Sequence, residues 1–138
     1  MIPRISLSEK IPQVVQNFLI ELRQSIFSGK INHDYATRIV TSTDNSIYQV
    51  LPQAIISPKN ISDIQTVMSI AEKKQFRKKI KITARGGGTG TNGQSLSEGI
   101  VLDCSRFMNR ILEINLKQGW VRVEPGVVLD QLNKYLEP

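Results

Sequence analysis

A cluster of glycines constrains this sequence more than any other feature. Residues 86–93 read Gly-Gly-Gly-Thr-Gly-Thr-Asn-Gly and hold five of the nine glycines in the chain. Glycine loses the most conformational entropy on folding and has no side chain to bury, so core packing does not favour such a run. Glycine does provide positive φ and a backbone that other groups can approach closely. Successive N–H groups in such a loop form a concave site for an anion, most often a diphosphate.

The glycine loop follows a segment with the pattern of a βαβ unit. Residues 54–57 form a short apolar run closed by a proline, residues 61–75 carry apolar side chains at helical spacing, and residues 79–83 alternate polar and apolar. The loop is therefore expected at the carboxyl end of the second strand, where α/β folds bind ligands. The backbone amides of the loop are the expected donors, and four neighbouring side chains can add donors or charge. They are Arg85, Thr89, Thr91 and Asn92.

Two well-known phosphate loops are excluded by the surrounding residues. A Walker loop needs a lysine followed by Ser or Thr, but no lysine occurs between Lys81 and Lys117. Residues 88–93 satisfy the spacing GxGxxG, which in a Rossmann fold opens a helix on the pyrophosphate. Only residues 94–99 separate the loop from the next apolar strand, which is too short for that helix. The loop amides alone are expected to hold the anion.

The remaining patterns predict an α+β fold, in which a βαβ unit is followed by antiparallel strands with flanking helices. We expect residues 1–50 to form an N-terminal helical extension and residues 51–138 to form the main unit. The predicted elements outside the βαβ unit are a helix over 12–26, a short helix and a loop within 32–49, a strand over 100–103, a hairpin of 110–114 with 120–124, and a helix over 128–136. Trp120 is predicted to fill the core.

Cysteine and histidine usage narrows the chemistry further. The single cysteine, Cys104, excludes an intrachain disulfide and a four-cysteine metal or iron–sulfur site in this chain. The single histidine, His33, has no ligand cluster around it and is expected on the surface. No metal ligand and no catalytic residue are therefore assigned. No apolar run reaches the roughly 18 residues that span a bilayer, and residues 1–6 lack the order of a secretion signal, so we expect a soluble, cytoplasmic protein.

A local cluster of cations accounts for the net charge of +6. Clusters of this kind are usually solvated helix ends, and the only aromatic residue within this one is Phe76. Proteins that bind single-stranded nucleic acid commonly stack the bases on aromatic side chains. We therefore do not expect a nucleic-acid partner. A non-catalytic basic module for nucleic acid or acidic surfaces stays the alternative. The cluster consists of Lys73, Lys74, Arg77, Lys78, Lys79 and Lys81.

Several stretches together resemble the FAD-binding domain of the vanillyl-alcohol-oxidase/PCMH flavoproteins. Among these, the chain is most similar to the D-2-hydroxyacid dehydrogenases, in particular the large members that act on D-2-hydroxyglutarate and carry a C-terminal iron–sulfur portion. The likeness covers essentially the whole chain, including residues 1–3 and 42–49. The stretches that carry it most specifically are residues 85–93, 99–106, 108–114 and 121–127.

The resemblance implies a role for individual residues. In the family, the loop equivalent to Gly86 through Gly93 binds the FAD diphosphate through backbone amides. The resemblance also implies that Pro58 and the turn at Gly126 lie near the adenosine half. Some members attach the flavin covalently through His or Cys. Because His33 lies far upstream and Cys104 has no activating neighbour in sequence, we expect non-covalent FAD.

The resemblance further implies the activity of a longer protein. That protein would oxidise a D-2-hydroxy acid, of the D-2-hydroxyglutarate or D-lactate type, and pass the electrons to an acceptor. Binding to such an acceptor can bring the protein to a membrane. In the family the domain continues past the equivalent of Pro138, and the catalytic histidines, metal ligands and iron–sulfur cysteines follow it. We therefore expect this chain to be a fragment that is inactive by itself. Docking of an electron-transfer partner by the N-terminal helix remains an additional alternative.

Overall fold

The computed structural model describes residues 10–137. Residues 1–9, used above for the resemblance and against a secretion signal, lie outside the described part, as does Pro138. The helices are α1 (Gln13–Arg23), α2 (Tyr35–Thr41), α3 (Ile61–Ala71) and α4 (Leu129–Leu136). The strands are β1 (Lys30–Asn32), β2 (Ala54–Ser57), β3 (Ile82–Arg85), β4 (Ile100–Asp103), β5 (Ile111–Asn115) and β6 (Trp120–Val123).

A four-stranded sheet in the order β1-β2-β4-β3 organises the fold. β4 runs parallel to both β2 and β3, whereas β1 pairs with β2 in the antiparallel direction. Leu102 of β4 stands opposite Ile56 on one side and Ala84 on the other. The carboxyl ends of β2, β3 and β4 therefore meet at one edge of the sheet, called the carboxyl edge below.

The core forms around the two central strands and two helices. All four residues of β2 and the first three of β4 are buried, as expected for strands covered on both faces. Helices α1 and α3 pack against each other, and their apolar faces join the same core as β2 and β4. The ring of Phe18 meets that of Phe76 edge-on, with the centroids 5.4 Å apart. α1 thus shares one hydrophobic core with the main sheet.

Side-chain caps fix where α3 begins, directly after the carboxyl end of β2. The side chain of Asn60 accepts a hydrogen bond from the amide of Asp63 at 2.9 Å, which is an N-cap. The buried carboxylate of Asp63 accepts in turn from the amides of Ser28 and Lys59, at 2.8 Å each. The connection from β2 to α3 is therefore anchored at both ends.

The α+β class is confirmed, and the βαβ unit and the hairpin are both present. One expected feature is wrong: β4 does not continue as an antiparallel strand but lies between β2 and β3, parallel to both. The N-terminal region is also not purely helical, since it contains β1. β1 has three residues at the sheet edge, too few to show an alternating pattern in the sequence.

The prediction that Trp120 fills the core is wrong. Its side chain is half-exposed, its indole N–H donates to the Gln118 side chain at 2.9 Å, and its ring lies 5.5 Å from the guanidinium of Arg122. The reason is that β5 and β6 form a separate two-stranded sheet, outside the four-stranded sheet on which the core is built.

Within residues 10–137, the longest helices have 11 residues, and none is long and apolar enough to cross a membrane.

Candidate functional site

The glycine loop connects β3 to β4 at the carboxyl edge without any helix. Residues 86–99 contain neither helix nor strand, which confirms that the Rossmann arrangement does not apply. Gly88 and Gly93 adopt φ values of 68° and 74°, the left-handed conformation that side-chain-bearing residues rarely adopt. These two positions therefore require glycine for conformational reasons.

The loop carries a run of backbone donors without protein acceptors. The amides of residues 86–91 donate no hydrogen bond to any described residue. The next amide, that of Asn92, donates to the side-chain oxygen of Gln94 at 3.0 Å. Six consecutive N–H groups thus remain for an acceptor from outside the described chain, and the oxygens of a diphosphate match this donor set.

A cleft of about 590 Å³ lies between the glycine loop and the segment that leads into α4. Gly87 and Thr89 line it on one side, and residues 125–131 line it on the other. The structure therefore brings the glycine loop and the predicted turn at Gly126 to the same cleft.

Gly126 is required because the backbone around it is crowded. A Cβ atom at this position would lie 2.5 Å from the carbonyl oxygen of Cys104 and 2.7 Å from that of Met108. Contacts this short cannot be relieved by turning a side chain, because the atoms belong to the backbone. Gly126 therefore lets the turn pack directly on the segment that follows β4.

An ion pair between the buried Glu124 and the exposed Arg110 holds the same turn from the other side. Glu124 is 7% exposed, and its carboxylate accepts hydrogen bonds from the backbone amide of Arg110 at 2.9 Å and from its guanidinium at 2.7 Å. These interactions with Arg110 hold the pKa of Glu124 below its ordinary value, against the opposing effect of burial. The carboxylate stays charged and ties the hairpin to the start of the turn.

The remaining predicted site residues have different positions. Arg85 does not line the cleft, since its guanidinium donates to the carbonyl oxygens of Thr41 at 3.3 Å and Thr43 at 2.9 Å. Pro58 is buried immediately after the carboxyl end of β2, but it does not line the cleft either.

The second half of the loop is organised by a residue that the sequence analysis did not single out. A Cβ atom on Gly90 would lie 2.3 Å from the side-chain nitrogen of Gln94, so this side chain packs against Gly90. Thr91 and Asn92 are exposed, and neither lines the cleft. Gln94 therefore shapes the loop, whereas the side chains of Thr91 and Asn92 remain available on its surface.

Further lining residues were also missed by the sequence analysis. Ser105, Asn109 and the first residues of α4 face the cleft. Ser105 is positioned by Asp103, whose carboxylate accepts from its backbone amide at 3.0 Å and its hydroxyl at 2.6 Å. Its place directly after β4 became informative only once β4 was seen to run parallel to its neighbours, because ligands bind at the ends of parallel strands. The contribution of α4 had no signal in the sequence.

Neither the single cysteine nor the single histidine of the sequence presents a reactive side chain to the loop amides. Cys104 is buried, and burial, together with the charge of Asp103, raises the pKa of its thiol, which leaves it a poor nucleophile. His33 is exposed and follows β1, which runs antiparallel to β2, so it lies at the edge opposite the glycine loop.

The basic cluster lies at the amino end of β3, also opposite the loop. Lys73 pairs with Glu21, and Arg77 lies 3.6 Å from Glu72. Phe76, the one aromatic residue of the cluster, is buried against Phe18 and therefore offers no surface for stacking on bases.

Comparison with known proteins identifies an FAD-binding domain in this chain. Residues 52–138 match the family described as FAD binding domain. The chain is 52% identical over its full length to D-2-hydroxyglutarate dehydrogenase from Escherichia coli strain K12, and 56% identical over 121 residues, 88% of the chain, to the protein of the same name from Pseudomonas putida. It spans 14% and 12% of the lengths of these two relatives.

A solved structure shares the fold at lower sequence identity. p-Cresol methylhydroxylase with bound substrate superimposes on 94% of this chain and 26% of its own, with a TM-score of 0.70 and 18% identity. The chain thus shares the PCMH-type fold, as the resemblance implied.

Proposed function

Because the chain belongs to the FAD-binding domain family, we propose that its glycine loop holds the diphosphate of FAD in a flavoprotein oxidoreductase. One observation carries the proposal. The amides of residues 86–91 have no acceptor among the described residues, and they lie in a loop at the carboxyl edge of the parallel strands. Such a donor array binds an anion without a charged side chain.

Apart from Arg85, each predicted residue has a specific task in this proposal. The amides of the loop hold the diphosphate, and the side chains of Thr89, Thr91 and Asn92 supply additional donors around it. Gly126 shapes the opposite wall of the cleft by allowing close backbone packing. Pro58, which directly follows β2 and does not line the cleft, is assigned to the adenosine half.

The proposed activity of the whole protein is the oxidation of a D-2-hydroxy acid. When bound, FAD accepts the hydride equivalent from the α-carbon of the substrate. The names of the relatives from Escherichia coli and Pseudomonas putida support D-2-hydroxyglutarate, and a substrate of the D-lactate type is the alternative. An electron acceptor, the substrate-binding residues and an iron–sulfur cluster belong to the longer protein in this proposal, and the present chain is inactive alone.

The flavin is proposed to bind without a covalent bond. Two observations support this: His33 lies at the edge opposite the loop, and the thiol of Cys104 is buried with a raised pKa. A cytoplasmic location is also proposed, in which this free thiol would remain reduced.

The division of the chain near residue 50 is a further part of the proposal. Residues 51–138 form the first part of the flavin-binding domain, which is supported by the start of the family match at residue 52. Residues 1–50 form an N-terminal extension that packs α1 on the same core.

A visible absorption spectrum of the purified full-length protein tests the proposal. We expect flavin bands that persist after desalting, and anaerobic addition of D-2-hydroxyglutarate should bleach them while the L-enantiomer should not. Denaturation with acid should release the flavin into the supernatant, as expected for non-covalent binding. A colourless protein that free FAD cannot reconstitute would overturn the proposal. A salt titration against DNA would then test the alternative of a basic module.

A further inference from the structure

We propose that the segment of residues 41–46 acts as a brace that holds the glycine loop in its binding conformation, and that Arg85 is a positioning residue of this brace rather than a ligand of the diphosphate. The inference rests on the proposed function, because the conformation in question is the one that binds FAD. The segment was part of the resemblance, but no role followed for it from the sequence.

The first contact of the brace is made where the loop begins. The guanidinium of Arg85 donates to the carbonyl oxygens of Thr41 and Thr43, at 3.3 Å and 2.9 Å. The backbone carbonyl of Arg85 accepts from the amide of Cys104 at 2.9 Å, so this residue joins β3, β4 and the brace. A planar guanidinium can bond two acceptors at once, which an ammonium group does with less geometric definition.

The second contact lies in the middle of the loop. The amide of Asn45 donates to the carbonyl oxygen of Gly88 at 3.1 Å. This bond keeps that carbonyl, whose negative end would repel a phosphate, on the brace. The guanidinium of Arg85 also packs against Gly88, since a Cβ atom there would lie 2.3 Å from its Nη2.

The third contact lies just beyond the last glycine of the loop. The carboxylate of Asp44 accepts from the hydroxyl of Ser95 at 2.9 Å, and it also accepts from the amide of Ser46. The ring of Tyr48 comes within 3.0 Å of the Cβ position of Gly93, so the chain that follows the brace packs against the end of the loop. The loop is therefore held at its start, its middle and its end.

A brace of this kind matters because of the composition of the loop. Five glycines among eight residues give the free loop many conformations, and ordering them on binding weakens affinity. Contacts made before the ligand arrives reduce that ordering cost. Removing the brace should therefore weaken FAD binding without removing any group that touches the diphosphate.

The experiment compares variants of the full-length protein. Arg85→Met removes the first contact, and Ser95→Ala removes the third with a smaller perturbation. Arg122→Met is the matched control, since Arg122 is an exposed arginine paired with Glu113 on the β5–β6 hairpin. Asp44→Asn retains an acceptor for Ser95 and should restore the binding that Asp44→Ala loses.

The readouts are the dissociation constant of FAD at several salt concentrations and hydrogen exchange in the FAD-free protein. We expect Arg85→Met and Ser95→Ala to raise the dissociation constant about tenfold or more, with the salt dependence of the wild type retained. Loop exchange is followed at the hydrogen-bonded amides of Asn45, Asn92 and Leu96, where it should accelerate, while exchange in the hairpin stays unchanged. Arg122→Met should change neither quantity. If Arg85→Met fails to fold, Ser95→Ala and the two Asp44 variants decide the same question.

Two results would overturn the brace. One is wild-type affinity and loop exchange in both Arg85→Met and Ser95→Ala. The other is a flatter salt dependence in Arg85→Met with unchanged loop exchange, because that pattern marks Arg85 as a direct partner of the diphosphate. Failure of the wild-type protein to bind FAD would instead contradict the proposed function. The exchange measurement on the FAD-free protein would still test whether the brace holds the loop.

Discussion

The backbone amide of Gly126 donates a hydrogen bond to the carbonyl oxygen of Met108 at 2.7 Å. This bond fastens the turn after β6 onto the segment that follows β4, so one wall of the cleft is fixed to the carboxyl edge of the sheet. The absence of a side chain at Gly126 allows the approach, because the carbonyl oxygen of Cys104 occupies the space that a Cβ atom would need.

Gly126→Ala should therefore destabilise the protein. The expected loss is about 1–3 kcal/mol, the usual range for an inserted group that forces backbone movement. Thermal unfolding of the full-length protein should show a lower midpoint. Gly86→Ala is the control, since a Cβ atom there has its nearest neighbour, the carbonyl oxygen of Pro125, at 3.5 Å. Equal midpoints for the two variants would contradict the packing argument.

Gly88→Val should abolish FAD retention. Gly88 combines a φ of 68° with contact to Arg85, so a β-branched residue strains the loop and displaces the guanidinium. Gly119→Val is a matched control, because Gly119 has the same φ of 68° in the hairpin turn with nothing within 4 Å of its Cβ position. The ratio of flavin to protein absorbance after desalting reports the result. A flavin content that is normal in Gly88→Val, or equally reduced in both variants, would disprove a specific role of Gly88.

Loss of the Glu124 carboxylate should make the unfolding midpoint less sensitive to acidic pH. The pKa of Glu124 in the folded protein lies below its ordinary value of 4.5, so its contribution is complete above about pH 4.5 and is lost as the pH falls through the lowered pKa. Glu124→Gln should lower the unfolding midpoint at neutral pH, and the difference from the wild type should shrink below pH 4.5. The check is a series of thermal scans from neutral to acidic pH. A difference that stays constant over this range would exclude the ion pair with Arg110 as its source.

Phe18→Ala should be among the most destabilising substitutions in the N-terminal helix. The side chain is fully buried against Phe76, and truncating a buried aromatic residue typically costs about 3–5 kcal/mol. Ile26→Ala, at a position that is 82% exposed, should have a small effect. Chemical denaturation followed by tryptophan fluorescence compares the two. A small effect of Phe18→Ala would mean that α1 is dispensable for the core.

The local pattern of this protein could be predicted from the sequence alone. β2 and β4 have the predicted bounds because each is a short run of three apolar residues that ends in a polar one, and the limits of the hairpin and α3 shift by only a few residues. The glycine loop was also identified correctly as a helix-free connection, since the number of residues before β4 leaves no room for a helix. These patterns arise from residues that are close together in the sequence, so the sequence alone is enough to predict them.

Tertiary structure alone decided which distant residues meet. The sequence gives no sign that β4 inserts between β2 and β3, because a parallel pairing leaves no local mark. The sequence pattern likewise predicted that Arg85 adds charge to the anion site. In the folded chain, its guanidinium instead donates to the carbonyl oxygens of Thr41 and Thr43. Asp44 and Ser95 are 51 residues apart, and their hydrogen bond exists only because the sheet places both segments at one edge. Long-range pairings are set by the competition of all segments for the same core, which no single stretch of sequence contains.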